Sequence, residues 1–160
     1  MKAFIYGAER TVYQQVGNWY VLDEDFSFDL AWLKHKIEQH AQPSSIPVVF
    51  CDSCDANKLV SELGEEECEW LQFAAGIYWR EVNIIFIFSF DYLPTLVETI
   101  FHELRHLEQE SIDGLKECFA TDKLLPYEER ETEKDAFAIG KKKLHLFSLA
   151  NVEEMKHYQI

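Results

Sequence analysis

The chain has 160 residues, of which 48% are hydrophobic and 14% aromatic, and its formal net charge at pH 7 is −14. This length and apolar content predict a single globular domain spanning residues 1–160 and exclude a disordered chain. The acidic charge argues against nucleic acid as a direct partner, because phosphate contacts need a basic surface.

Targeting signals and membrane spans are not expected. Met1–Gly7 is too short and mixed in character for a signal peptide. The longest apolar run, Ile84–Phe88, has only five residues and is too short to cross a membrane. We therefore expect a cytoplasmic protein with no membrane partner, and the pattern does not specify an oligomeric state.

The first third of the chain predicts a hairpin followed by a helix. Two alternating segments, Thr11–Val16 and Trp19–Leu22, flank a Gly-Asn pair that is typical of a two-residue turn. A helix is then expected to begin after a cap at Asp25 or Ser27 and to run through His40. Its apolar side chains recur at helical spacing: Leu30, Leu33 and Ile37. His35 and His40 are five residues apart, so we expect both to face solvent.

Four cysteines, in a chain without an export signal, are expected to be reduced thiols. Cys51 and Cys54 form a Cys-x-x-Cys after the strand-like segment Val48–Phe50. A redox or metal site is one interpretation of this motif, but no second pair is present to complete a zinc site. The preferred interpretation is two small, partly buried residues in a loop that leads to a helix over 55–63.

The middle of the chain predicts two strands, Leu71–Trp79 and Ile84–Phe90, joined by a turn. The second strand is apolar on both faces and should be covered on both sides. A helix then follows over Tyr92–Gln109, where Pro94 fits in the first turn. Its wide apolar stripe consists of Leu96, Val97, Ile100, Phe101, Leu104 and Leu107.

His102, Glu103 and His106 form a His-Glu-x-x-His motif at the edge of this stripe. Residues four apart lie on the same face of a helix, so the two imidazoles can bind one ion. Glu103 lies next to the first ligand, where it can reach a water bound to that ion. This arrangement is the one that zinc hydrolases use, with the glutamate as general base.

Catalytic zinc usually takes three protein ligands and a water, so a third ligand is required. A final helix is expected from Tyr127 onward, and it offers Glu128, Glu129, Glu131 and Glu133. Glu129 and Glu133 share the face of the apolar residues Ala136 and Phe137, whereas Glu131 points elsewhere. A carboxylate on an inward face is costly without a cation, which favours Glu133 over Glu131.

The segments His102–His106 and Glu131–Ala138 together resemble the small zinc peptidases of the ImmA/IrrE type. The second motif of that family reads approximately Glu-x-Glu-Ala-Asn-x-Phe-Ala, which sets its metal-binding glutamate on Glu133 and its asparagine on Asp135. The resemblance covers about residues 70–140 and implies a gluzincin-like site. It also implies that the strand before the metal helix borders the cleft and can pair with extended substrate.

These observations predict an α+β fold, a compact zincin-like domain with a small mixed or antiparallel sheet. The expected function is a Zn²⁺-dependent metallopeptidase with a protein or peptide substrate, in which Glu103 is the catalytic base. The alternative is a zinc-binding regulatory or protein-interaction module without independent turnover.

An enzyme of this kind needs residues for two further roles. Asp135 is a candidate for holding a ligating histidine in place, since metal-bound histidines usually donate their other N–H to an oxygen. An oxyanion stabiliser is also required, and Tyr127, Tyr78 and His145 are open candidates.

Overall fold

The computed structural model describes residues 10–158. The segment Met1–Gly7, on which the expectation of no signal peptide rests, lies outside the described residues. The chain divides into two compact units, Met1–Tyr92 and Leu93–Ile160. Within residues 10–158, no helix combines the length and the hydropathy that a membrane crossing requires.

A five-stranded mixed sheet forms the centre of the N-terminal unit. Its strands are β1 (Gln14–Val16), β2 (Trp19–Val21), β3 (Val48–Phe50), β4 (Gly76–Trp79) and β5 (Ile84–Ile87). Their order is β1-β2-β3-β5-β4, in which β3 runs parallel to both β2 and β5, and the two outer pairs are antiparallel. The predicted small sheet is thereby confirmed, and of the two alternatives, mixed or antiparallel, it is mixed.

The strands agree closely with the sequence pattern where that pattern reflects burial. Every residue of β3 and β5 is buried, as expected for apolar strands covered on both faces. The hairpin of β1 and β2 turns at Gly17, whose φ of +58° lies in the left-handed region that favours glycine. The turn of this hairpin therefore depends on a glycine.

Two predictions in this unit were wrong. Helix α1 spans Leu30–Glu38, and its cap is Asp29, whose side chain accepts hydrogen bonds from the backbone N–H groups of Ala31 and Trp32. Asp25 and Ser27 therefore do not cap it. The predicted strand from Leu71 begins only at Gly76, because Glu69–Phe73 forms a 3-10 turn in which Leu71 alone is buried.

Helix α2 spans Ser53–Glu62 and begins inside the Cys-x-x-Cys motif, where Asp52 caps it. Cys51 is buried at the end of β3, and Cys54 is exposed in the first helical turn. Burial, reinforced by the neighbouring Asp55 and Asp52, raises the pKa of the Cys51 thiol well above its ordinary value. A thiol in this setting is unreactive, which supports the structural interpretation of the motif.

The C-terminal unit is helical. It contains α3 (Leu93–Gln109), α4 (Cys118–Asp122), a 3-10 turn (Tyr127–Glu129), α5 (Glu131–Ala150) and α6 (Val152–Met155). The helix that carries the His-Glu-x-x-His motif thus has nearly its predicted bounds. The final helix starts four residues later than Tyr127, where it was expected.

Helices α3 and α5 approach closely at Gly140, beside the first histidine of the motif. A Cβ atom at Gly140 would lie 3.4 Å from the backbone oxygen of Glu98 and 3.6 Å from the backbone nitrogen of His102. These are ordinary van der Waals distances, so the two helix backbones are separated by little more than the width of one small side chain. Next to this contact, Phe101 and Phe147 meet edge to face across the helix pair, with ring centroids 6.4 Å apart.

Candidate metal centre

Three side chains predicted as metal ligands converge between α3 and α5. The Nε2 atom of His102 lies 3.1 Å from Oε1 of Glu133, and Nε2 of His106 lies 3.0 Å from the same oxygen. The two Nε2 atoms are 3.2 Å apart. His102 and His106 are brought together by one helical turn, and Glu133 reaches them from the third residue of α5. The structure therefore contains a His-His-Glu group that could hold a metal ion.

The spacing of these atoms suits a small cation. Bonds of about 2.0–2.1 Å in a tetrahedron place neighbouring ligand atoms about 3.3 Å apart. The observed separations of 3.0–3.2 Å are close to that value, and the three atoms form a nearly equilateral triangle. A tetrahedral ion bound by two imidazole nitrogens and one carboxylate oxygen would have one position left for a fourth ligand.

Burial explains why these side chains interact so strongly. His102, His106 and Glu133 are 7%, 9% and 8% exposed. Burial alone would raise the pKa of Glu133, but hydrogen bonds from His102 and His106 outweigh it and lower that pKa far below its ordinary value. Burial alone would lower the pKa of His106, yet contact with Glu133 and the charge of Glu103 raise it. The site without metal is thus a tightly paired cluster of charge.

These shifts predict opposite pH dependences for the stability of the metal-free protein and for the extra stability that it gains on binding zinc. In the metal-free protein, His106 stabilises the fold below its ordinary pKa of 6.5, and this contribution is lost as pH rises through the raised value. The contribution of Glu133 is present above 4.5 and is lost as pH falls through its lowered pKa. Metal binding competes with the proton on His106, so metal affinity should increase as pH rises.

We therefore expect the metal-free protein to lose thermal stability as pH rises from 6.5 through the raised pKa of His106, while the stabilisation gained on adding zinc grows over the same range. Thermal denaturation with chelator and with zinc, at several pH values, measures both trends. In His106→Ala the rise in zinc stabilisation should disappear. Equal zinc stabilisation at the two ends of the range would contradict the assignment of His106 as a ligand.

Glu103 is also buried, although the sequence expectation concerned only its position beside the first ligand. It is 6% exposed, and its negative charge contributes to raising the pKa of both His106 and Tyr127. A carboxylate with this burial lies close to the ligand group and is shielded from bulk water. Such a group is suited to accept a proton within the site.

Sequence analysis missed Gln109, which is fully buried. Its Oε1 lies 2.9 Å from Nδ1 of His106, and its Nε2 donates to the backbone oxygen of Thr132 and to Oδ2 of Asp135. Asp135 therefore reaches His106 only through Gln109. The signal that could have revealed Gln109 is its place three residues after His106, on the same face of a half-buried helix.

Asp135 has a second partner that the sequence did not indicate. Its two carboxylate oxygens accept hydrogen bonds from Nε and Nη2 of Arg105, at 2.7 and 3.2 Å. Arg105 also donates to Glu108, which in turn accepts from Lys143 on α5. These contacts tie the polar sides of α3 and α5 together beside the ligand group.

Of the three oxyanion candidates, Tyr127 contacts the ligand group. Its hydroxyl is hydrogen-bonded to Glu133, and burial together with the Glu133 charge raises its pKa. The hydroxyl of Tyr78 donates to Asn83 in the β4–β5 turn. His145 is exposed on α5 and follows Glu133 by twelve residues, about 18 Å along the helix axis.

The sequence places Phe137 with Ala136 on the inward face of the final helix, and this prediction was wrong for Phe137. Its side chain is 44% exposed, with its ring edge to face against His102 at a centroid distance of 4.5 Å. The ring centroid of Tyr127 lies 6.3 Å from that of Phe137, and Tyr127 is 50% exposed. Phe137 and Tyr127 together form an exposed aromatic edge beside the predicted ligands.

The start of α5 is fixed by a carboxylate from outside the helix. Arg130 precedes the helix without a capping side chain, and Asp122 of α4 serves instead. Its oxygens accept from the backbone N–H groups of Glu131 and Thr132 at 3.2 and 3.0 Å, and from the Thr132 hydroxyl. This contact sets the position of the helical turn that carries Glu133.

Asp122→Ala is accordingly expected to lower the free energy of unfolding by about 1–2 kcal/mol, the typical value for a lost helix cap. Zinc affinity should fall as well, because the first turn of α5 is then less well fixed. Asp113→Ala, at an exposed position in the same unit, is the control. Chemical denaturation and zinc titration of both variants test this, and an Asp122→Ala protein as stable as the control would contradict it.

Comparison with known proteins gives one family. No curated protein and no solved structure matches the chain. Residues 21–151 match the model of a family described as a protein of unknown function, DUF3920. That match includes β3, β5 and the whole of the His-His-Glu group. Since it extends over most of the chain, the protein belongs to the DUF3920 family.

Proposed function

We propose that this protein is a zinc-dependent metallopeptidase. The observation that carries the proposal is the convergence of Nε2 of His102, Nε2 of His106 and Oε1 of Glu133 on one point, with buried Glu103 beside them. A site that only had to hold a metal for stability would not need this extra carboxylate. Structural zinc sites, moreover, usually use four protein ligands and close the coordination sphere.

The ligand set favours a borderline cation such as zinc over magnesium and calcium. Two imidazoles and one carboxylate suit a borderline cation, whereas magnesium and calcium prefer oxygen ligands alone. His102, His106 and Glu133 would hold the ion through the three atoms that already face each other. When bound, zinc lowers the pKa of a coordinated water to about 7 and polarises a substrate carbonyl.

The side chains of this protein would then carry the proton and the charge. Glu103 would accept a proton from the attacking water while the oxygen of that water forms a bond to the carbonyl carbon of the substrate. Glu103 passes the same proton to the amide nitrogen as the C–N bond breaks. Of the three candidates, the Tyr127 hydroxyl, which is hydrogen-bonded to Glu133 in the metal-free protein, is the best placed to donate a hydrogen bond to the developing oxyanion.

The surroundings of the ligands support a peptide as substrate. Phe137 packs on His102 and stays half-exposed, so a molecule that reaches the open side of the site meets an apolar edge. Aromatic side chains of this kind commonly contact apolar substrate groups. We extend the proposal to a zincin-like arrangement and a protein or peptide substrate, as the resemblance to ImmA/IrrE-type peptidases implies. The cytoplasmic location expected from the sequence is part of the same proposal.

Metal analysis and a peptidase assay test the proposal in sequence. We expect the purified protein to contain about one equivalent of zinc and to cleave an unfolded protein such as casein, with activity lost on chelation and restored by zinc. Absence of bound zinc after reconstitution would disprove the metal centre. Zinc at one equivalent without hydrolysis of a broad peptide library would instead favour a regulatory zinc-binding module.

A further inference from the structure

The environment of Gln109 determines which way its side-chain amide points. Its Nε2 lies 2.7 Å from the backbone oxygen of Thr132 and 2.8 Å from Oδ2 of Asp135. A backbone carbonyl can only accept hydrogen bonds, and both Asp135 oxygens already accept from Arg105. The NH₂ group of Gln109 must therefore face these two oxygens, since the opposite orientation would bring its own oxygen against them.

This orientation determines the protonation pattern of His106. With both amide hydrogens donated, Oε1 of Gln109 faces Nδ1 of His106 at 2.9 Å as an acceptor. An acceptor at this distance in a fully buried site requires a proton on Nδ1, because an unprotonated nitrogen there would leave two lone pairs facing each other. The neutral imidazole therefore keeps its lone pair on Nε2, the atom that faces His102 and Glu133.

We propose that Gln109 is a positioning residue for the metal centre, fixed by Thr132 and Asp135, that holds His106 as its Nδ1–H tautomer and reserves Nε2 for the metal. The proposal rests on the proposed zinc site and adds to it the source of its preorganisation. It also gives a role to Arg105 in the centre of the His-Glu-x-x-His motif. Arg105 anchors Asp135, and Asp135 anchors Gln109.

The arrangement explains why an aspartate can stand where ImmA/IrrE-type sequences have an asparagine. A carboxylate at position 135 offers acceptors to both Gln109 and Arg105, and Arg105 balances its charge within the helix pair. In this chain the position therefore supports a histidine on the other helix through a buried amide. Within residues 10–158, the hydrogen bonds of Asp135 run to Arg105 and Gln109 on α3 and not to the ligand atoms themselves.

Gln109→Leu removes the acceptor for His106 at nearly constant volume. We expect zinc affinity, measured by competition with a chelator, to fall about 10- to 100-fold, the usual effect of losing a partner of a ligating histidine. In zinc-loaded protein labelled with ¹⁵N-histidine, the His106 Nδ1–H signal should lose its protection from exchange. Gln72→Leu, the same change at an exposed position in the N-terminal unit, should alter neither measurement.

A second set of variants, which changes the charges at positions 109 and 135, tests the proposal if Gln109→Leu fails to fold. Gln109→Glu retains an acceptor for His106 but sets a second carboxylate against Asp135, so zinc affinity should fall. Adding Asp135→Asn supplies a donor to the introduced carboxylate and should recover part of the loss, because the Thr132 carbonyl still faces a carboxylate oxygen. A double variant no better than Gln109→Glu alone, or Gln109→Leu protein that binds zinc within about twofold of wild type, would overturn the proposal.

The wild-type measurement separates this proposal from the function it rests on. If wild-type protein binds no zinc, the metal centre is wrong, and the role of Gln109 is disproved with it. If wild-type protein binds zinc and His102→Ala does not, the metal centre stands. In that case, an unchanged affinity in the Gln109 variants counts against the positioning role alone.

Discussion

Glu133→Ala is expected to reduce zinc affinity by more than about 100-fold, since losing even an outer partner of a ligand commonly costs 10- to 100-fold. Glu133 supplies the only carboxylate oxygen among the three converging ligand atoms. Without it, two imidazoles four residues apart on α3 remain, and two ligands do not complete a zinc site. Zinc content after dialysis and chelator competition measure the loss directly.

Glu131→Ala is the matched control for this variant. Glu131 lies on the same helical turn as Glu133 but is exposed, and its side chain pairs only with Lys134 at 3.4 Å in the described contacts. Both substitutions remove one carboxylate from the first turn of α5, so they perturb the helix dipole alike. Only the Glu133 variant should lose zinc. If zinc remains at one equivalent in Glu133→Ala, the third ligand is a different glutamate.

The metal-free form of Glu133→Ala should also show what the carboxylate contributes without zinc. His106 keeps a raised pKa largely through Glu133. With the carboxylate removed, buried His106 should shed its proton at lower pH, and the loss of metal-free stability at rising pH should be smaller. Thermal scans of both proteins in chelator measure this difference independently of zinc.

The three members of the His-His-Glu group could be predicted from sequence because helix geometry and burial bring them together. His102 and His106 lie one turn apart, and Glu133 occupies a position on the apolar side of its own helix, where burial forced a partner. The covered strand Ile84–Ile87 was predictable for a similar reason, since an apolar run of this kind has to be buried on both faces, whereas the sequence left open whether the sheet is mixed or antiparallel.

The failures occurred where tertiary contacts decide the structure. Helix α5 starts at Glu131 because Asp122, nine residues earlier, caps it, and no local pattern announces that partner. Phe137 was expected in the core, but it covers a ligand and remains half-exposed at the site. Gln109 was overlooked because a buried amide carries no distinctive sequence signal, and its role depends on Thr132 and Asp135 from another helix.

Glu103→Gln is expected to bind zinc like the wild type and to lose peptidase activity. General base catalysis contributes about 10²–10⁴-fold to rate, so kcat should fall by that range if Glu103 accepts the proton of the attacking water. The amide is nearly the same size as the carboxylate and can still form hydrogen bonds at this buried position. It cannot take up a proton at neutral pH, and that one difference isolates the role of Glu103.

Three measurements on Glu103→Gln then separate the possible roles of this carboxylate. Zinc affinity should change little, because Glu103 supplies none of the three ligand atoms. Substrate binding should be retained, so inactive protein should still protect a bound peptide or be inhibited competitively by it. A variant that keeps wild-type kcat would contradict the proposed mechanism, whereas a variant that loses zinc would make Glu103 a structural partner of His106, whose pKa its charge already raises. Loss of kcat alone, with zinc and substrate both bound, is the result that a general base requires.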